Sequence, residues 1–224
     1  MRCVIVLSGD LRDDAVVRTW LDQADHLICA DGGARHLRRL DVSPDLLVGD
    51  LDSLSPVDRI WLHSRQVPVK QYPADKDQTD SELALRQALS LLKEPRDQHE
   101  LIILAAFGSR PDHVLANQLL SGQLAAEGWH LILTDGVTTQ YTLTIGQELV
   151  LHLPTYQEKP LAFSINAAGG QIDGLTDNDS LLYPLNGISI PAGSSRGISN
   201  RITQSPVVLR LSAGVALITV TPDH

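Results

Sequence analysis

The sequence predicts an α/β fold in two parts: a mostly parallel sheet with helices over residues 1–136, then a small antiparallel β domain over residues 137–224. Three observations predict it. Up to residue 136, short apolar runs alternate with segments of helical period, which is the signal of βαβ units. After Gly136 the pattern becomes strand-like alternation punctuated by Gly and Pro, with no convincing helix. Charge shifts at the same place, because 21 of the 27 acidic residues and 14 of the 18 basic ones precede Val137. At 224 residues and 43% hydrophobic content the chain can bury a real core, and with only 4% aromatics that core is mainly Leu, Val, Ile and Ala.

Taken in order, the strand candidates of the first part are "CVIVLSG", "HLICADG", "DLLVGD", "VPVKQY", "ELIILAAFG" and "WHLILTDG". A helix between the first two is capped by Asp13 or Asp14 and places Val16, Val17, Trp20, Leu21 and Ala24 on one face. A second follows Thr79: "TDSE" reads as a capping box, with Leu85, Ala88, Leu89 and Leu92 as the buried stripe. A third begins near Asp112 and stops at Gly128. In the second part, "TQYTLTIGQELVLHLP", "FSINAAGGQIDGL", "NGISIPAG" and "VVLRLSAGVALITV" read as antiparallel strands.

A net charge of −9 with a pI near 5.2 argues against a phosphate-tracking surface, and few rings are available to stack bases, so nucleic acid is not an expected partner. Cys3 and Cys29 lie inside apolar runs without metal-ligand spacing and read as buried thiols of a reducing compartment. The first apolar run is too short for a signal-peptide core, and none approaches membrane-spanning length. A cytoplasmic protein is expected.

Ligands of an open parallel sheet bind at the carboxyl ends of its strands. Four successive strand ends carry "ADGGA" (Asp31, Gly32, Gly33), "GDLDS" (Asp50, Asp52), "PADKDQTD" (Asp75, Asp77, Thr79, Asp80) and "FGSRPDH" (Arg110, Asp112, His113). If "GDLDS" is extended, Asp50 and Asp52 point the same way, and two carboxylates about 4 Å apart repel by roughly 4 kcal/mol in a partly screened site. A shared proton or a divalent cation relieves this, and Mg²⁺ suits carboxylates combined with phosphate oxygens. A single Asp after a strand is more often a turn cap, but clusters at neighbouring strand ends reverse that balance. Neither a G-x-x-x-x-G-K-[ST] loop nor a G-x-G-x-x-G after a strand occurs, so a nucleotide must be held in another way. Arg110 either grips a phosphate or pairs with a neighbouring Asp, and Lys76 either neutralises its flanking aspartates or reaches a phosphate.

In combination, "VIVLSGDL", "ADGGARHL", "PDLLVGDLDSL", "YPADKDQTDSELAL", "GSRPDHVLAN", "YPL" and "GISN" closely resemble the bacterial thiamine pyrophosphokinase family over nearly the whole chain. The resemblance implies a Rossmann-like domain followed by a β-sandwich, a cytoplasmic homodimer with active sites between subunits, and Mg²⁺-dependent transfer of diphosphate from ATP to the hydroxyl of thiamine. It further implies Mg²⁺ on Asp50, Asp52 and Asp80. ATP would lie along Asp31, Gly32, Asp77, Thr79 and Arg110, and Asp50, Asp80, Arg110 and Asp112 would serve catalysis. Thiamine would lie against Tyr183, Ser199 and Asn200, with residues 1–136 as the catalytic domain and 137–224 as the thiamine-binding one. Two departures stand out: Ser109 occupies the place of a second glycine before the Arg, and "GLTDNDSLLYPL" inserts polar residues before Tyr183. A diphosphokinase acting on another alcohol such as a hydroxymethylpterin, a Mg²⁺-dependent nucleotide hydrolase and a non-catalytic nucleotide- or thiamine-binding regulator are the competing readings. The strand-end carboxylates argue against the last, since binding an anion alone gathers no such negative charge.

Overall fold

The computed structural model describes residues 1–153 and 160–223. Its first strands are β1 (Arg2–Val6), β2 (His26–Ala30), β3 (Leu46–Gly49), β4 (Val69–Gln71), β5 (Glu100–Leu104) and β6 (His130–Thr134), matching the six apolar runs. The order is β6-β5-β1-β2-β3-β4, and β5, β1, β2, β3 and β4 pair in parallel. Parallel pairing needs crossovers, and helices α1 (Asp14–Leu21), α2 (Ala34–Leu40), α3 (Pro56–Ser64), α4 (Asp80–Leu91) and α5 (Pro111–Ala126) supply them.

Asp13 caps α1 by accepting from the amides of Ala15 and Val16, and the expected face turns inward at Val17 and Leu21, while Val16 is exposed. Thr79 caps α4, its hydroxyl accepting from the Glu82 amide at 3.2 Å. The reciprocal half of the capping box does not form, because the Glu82 carboxylate accepts from Arg86 one turn on. Leu85, Ala88 and Leu92 of the expected stripe are buried. Helices α2 and α3 carry charged residues between their apolar ones and escape a reading by period; Ser55 caps α3 ahead of Pro56.

The remaining strands are β7 (Thr139–Thr144), β8 (Leu149–Leu151), β9 (Leu161–Ala167), β10 (Ile172–Asp177), β11 (Ile188–Ile190), β12 (Asn200–Arg201), β13 (Val207–Arg210) and β14 (Val215–Pro222). They form antiparallel ladders in the orders β12-β9-β14-β7 and β11-β10-β13-β8. Pro154, at the end of the run expected to contain β7 and β8, lies outside the described residues.

The chain divides into two units, one of Met1–Asn117 with Ile132–Val137, the other of Gln118–Leu131 with Thr138–His224. Each buries its own core. Val4, Val6, Leu37, Leu47, Ile102 and Leu104 belong to the first, and Phe163, Ile165, Ile172, Leu175, Leu209 and Ile218 to the second. Among the described residues no helix is long and apolar enough to cross a membrane.

Candidate active site

The carboxyl ends of β1, β2 and β5 open on a cleft of about 300 Å³, lined among others by Gly9, Asp31, Ser53, Thr79, Asp80 and Arg110. Its floor comes from two loops sewn together through their backbones. The amides of Gly9 and Asp10 donate to the carbonyls of Ala105 and Phe107 at 3.1 and 2.6 Å. A Cβ on Gly9 would lie 2.1 Å from the Phe107 oxygen and 2.3 Å from that of Ala105, so only glycine permits this approach. On the other side of the loop, the Arg35 guanidinium donates to the carbonyls of Ser8 and Gly9, and His36 Nε2 donates to the Gly9 carbonyl at 2.8 Å. Burial lowers the His36 pKa from its usual value, while the bond to the Gly9 carbonyl works the other way.

Beside the cleft the carboxylates converge. Asp31, Asp50 and Asp52 each bring an oxygen within 4.8 Å of the others, and the space exists because Gly49 has no side chain: a Cβ there would sit 2.8 Å from Asp31 Cβ and 3.4 Å from Asp80 Oδ1. The segment is not extended as expected. Leu51 takes a φ of 72°, and the Asp52 amide donates to Asp50 Oδ1 at 3.2 Å in an Asx turn. The two aspartates therefore converge by a turn in which one caps the other.

Asp31 is 3% exposed and its Oδ2 accepts from the Ser53 amide at 3.1 Å, whereas its buried Oδ1 has no hydrogen-bond partner. Burial raises its pKa, and the charges of Asp80 and Asp50 add to the rise against the Ser53 amide. Lys76 Nζ lies 2.8 Å from Asp50 Oδ2 and 3.0 Å from Asp80 Oδ1. Its hydrogen bond lowers the Asp50 pKa; for Lys76 itself, burial works against the charged form but the two carboxylates outweigh it and the pKa rises. With four carboxylates against this one ammonium, the cluster suits a further cation. Hard oxygen donors and an orphaned buried oxygen are the donor set of Mg²⁺.

Of the other expected residues, Gly32, Thr79, Asp80 and Arg110 line the cleft, with His113 beside them. Arg110 is spread over Asp112, donating from Nε at 3.0 Å and Nη2 at 2.6 Å, which holds the Asp112 carboxyl far below the usual carboxylate range. Asp77 is exposed on the loop before α4. In the second unit Asn200 is 8% exposed and clamps the backbone of Tyr183. Its Oδ1 accepts from the Tyr183 amide at 3.0 Å, and its Nδ2 donates to the Tyr183 carbonyl at 2.8 Å. That clamp presents the Tyr183 ring to solvent at 66% exposure. The Ser199 amide donates to Ser164 Oγ at 3.1 Å.

Sequence reasoning missed Gly9, Gly49, Ser53, Arg35 and Asn117, whose Nδ2 donates to the Ala106 carbonyl at 3.1 Å. A signal was present for Gly9, since "LSGD" ends a strand just as the four chosen loops do.

A parallel sheet with an acidic, cation-seeking cluster at its carboxyl edge, beside a cleft with room for phosphates, defines a phosphate-transferring enzyme of α/β architecture. Comparison with known proteins makes this particular. Residues 17–133 match the family model described as thiamin pyrophosphokinase, catalytic domain. Thiamine pyrophosphokinase of Bacillus subtilis is 27% identical over 213 residues, with 91% of each chain covered. Its crystal structure superposes with a TM-score of 0.84 at 25% identity over all of both chains, and a thiamin pyrophosphokinase family protein of Enterococcus faecalis does so with 0.78 at 26%, again over all of both. The chain belongs to the thiamin pyrophosphokinase family and is an enzyme, a thiamine diphosphokinase.

Proposed function

We propose that this enzyme transfers the terminal diphosphate of Mg²⁺-bound ATP to the hydroxyl of thiamine, yielding thiamine pyrophosphate and AMP. The observation that carries the reading is the convergence of Asp31, Asp50 and Asp52 within 4.8 Å beside the cleft, with Asp31 Oδ1 lacking a partner. In the transfer, a bond forms between the thiamine hydroxyl oxygen and the β-phosphorus. The bond from that phosphorus to the α,β-bridging oxygen breaks, and this oxygen departs on AMP.

Asp50 and Asp52, with Asp31 or Asp80, would hold the ion, which when bound neutralises phosphate charge. The chain's own groups position the reactants. The sewn loops of Gly9 and Phe107 offer backbone donors and close approach, and Thr79 and Asp77 stand at the start of α4, whose N-terminus favours anions. Arg110, 68% exposed at its side chain, is free to exchange Asp112 for a phosphate. The hydroxyl proton leaves late in a loose transition state, so the site needs no strong base. Asp112 is a weak acceptor while Arg110 pairs with it, and buried Asp31 is a stronger one where Asp80, in its place, helps hold the ion. The second unit, through Tyr183, Ser199 and Asn200, serves as the thiamine-binding domain of a cytoplasmic homodimer, each cleft being completed by the partner subunit.

Incubation with ATP, Mg²⁺ and thiamine, followed by separation of products, tests this. AMP and thiamine pyrophosphate in equal amounts are expected. ADP, AMP formed equally without thiamine, or preference for a hydroxymethylpterin acceptor would overturn it.

A further inference from the structure

Lys76 reaches into the carboxylate cluster from the loop before α4. Its side chain is 11% exposed, and its ammonium contacts Asp50 and Asp80 together. The cluster is only partly balanced, because Lys76 hydrogen-bonds Asp50 Oδ2 and lies in ion-pair contact with Asp80 Oδ1, while neither Asp31 Oδ1 nor Asp80 Oδ1 has a hydrogen-bond partner. An ammonium bridging two carboxylates stands where a cation shared by those carboxylates would stand. The two cannot both keep close contact with Asp50 without placing two positive centres against one carboxylate.

We propose that Lys76 is a built-in counter-cation, which occupies the Asp50–Asp80 edge until a divalent cation displaces it and sends the ammonium out towards the cleft. The inference rests on the Mg²⁺ reading above. Lysine is chemically suited to such an exchange, since a point charge on a flexible four-carbon stem leaves and returns easily, whereas a planar guanidinium locked in two parallel bonds does not. Two consequences follow. The cluster binds a free divalent cation less tightly than its carboxylates alone would, because each binding event must expel the ammonium. Cation binding also delivers a mobile positive charge to the place where phosphates bind. A lysine that merely fixed the loop would have neither effect, and its loss would loosen the cation site instead of sharpening it.

The test uses the full chain without nucleotide or thiamine. Acetylation of lysines is followed by peptide mass spectrometry with and without Mg²⁺, using the exposed Lys70 and Lys93 as internal references. Mn²⁺ binding is titrated by electron paramagnetic resonance on the wild type and on Lys76→Met. The expected results are a several-fold rise in Lys76 labelling on adding metal, with Lys70 and Lys93 unchanged, and Mn²⁺ binding about tenfold tighter in Lys76→Met. If Mn²⁺ binds the wild type while Lys76 stays protected, or if Lys76→Met binds it equally or more weakly, the counter-cation proposal falls and the metal site stands. If neither chain binds Mn²⁺ and labelling does not change, the proposal and the metal reading fall together. Should Lys76→Met fail to fold, the labelling of the wild type decides alone.

Discussion

Asp31 lies buried against Gly49, with one oxygen on the Ser53 amide and the other unpartnered, among the charges of Asp50 and Asp80. Folding such a carboxylate is unfavourable in the absence of a cation, so here the requirements of the site and of stability oppose each other. Asp31 also takes a φ of 29°, which asparagine tolerates well. Asp31→Asn keeps the shape and an acceptor for the Ser53 amide while removing the charge. In EDTA the variant is expected to melt higher than the wild type by about 2–4 °C, corresponding to ~1 kcal/mol for a chain of this size. Its diphosphate transfer is expected to fall by about 10³-fold. Calorimetry together with the product assay checks both, and a variant that melts lower would show Asp31 to be a structural anchor. Asp31 was legible as a residue because it ends a strand before two glycines. Its unpartnered oxygen was not, since that depends on where Ser53, Gly49 and Asp80 fall in space.

At the scale of elements, parallel topology is readable from alternating apolar runs and helical segments, and that topology gathers the loops after β2, β3, β4 and β5, the strand ends where ligands are expected. The geometry within the loops was less accessible. An i, i+2 argument placed Asp50 and Asp52 side by side on an extended chain, whereas the positive φ of Leu51 turns the chain and lets Asp50 cap Asp52. The loop after β1 escaped for a different reason. Its place at a strand end was readable, but Gly9 matters through its fit against Ala105 and Phe107, almost a hundred residues away, and no local pattern encodes that contact. Gly9→Ala forces a methyl into two carbonyl oxygens, so it is expected to part the two loops, lower stability by about 1–3 kcal/mol and raise the KM for ATP more than tenfold. The KM for thiamine should change little. Steady-state kinetics with each substrate varied in turn measures the contrast, and equal effects on both would mean that the sewn floor does not belong to the nucleotide site.

At the scale of the whole molecule, the residues assigned to the two substrates lie in different units: the carboxylates and the cleft in the first, Tyr183, Ser199 and Asn200 in the second. The side chain of Asn200 is consumed in clamping Tyr183, so the exposed ring is what this segment offers to a ligand or a partner subunit. In a symmetric dimer whose sites each combine the cleft of one subunit with the Tyr183 segment of the other, two damaged chains can repair each other. Asp52→Asn and Tyr183→Ala, each nearly inactive alone, would then form mixed dimers in which one site carries both lesions and the other neither. Random reassortment of equal amounts makes half of the dimers mixed, and one sound site in each gives about a quarter of wild-type activity. Recovery on mixing, after mild dissociation and reassembly, is the expected outcome, with sedimentation confirming the dimer. If activity does not return although mixed dimers are present, each site is built from a single chain, and Tyr183 serves the cleft of its own subunit or none.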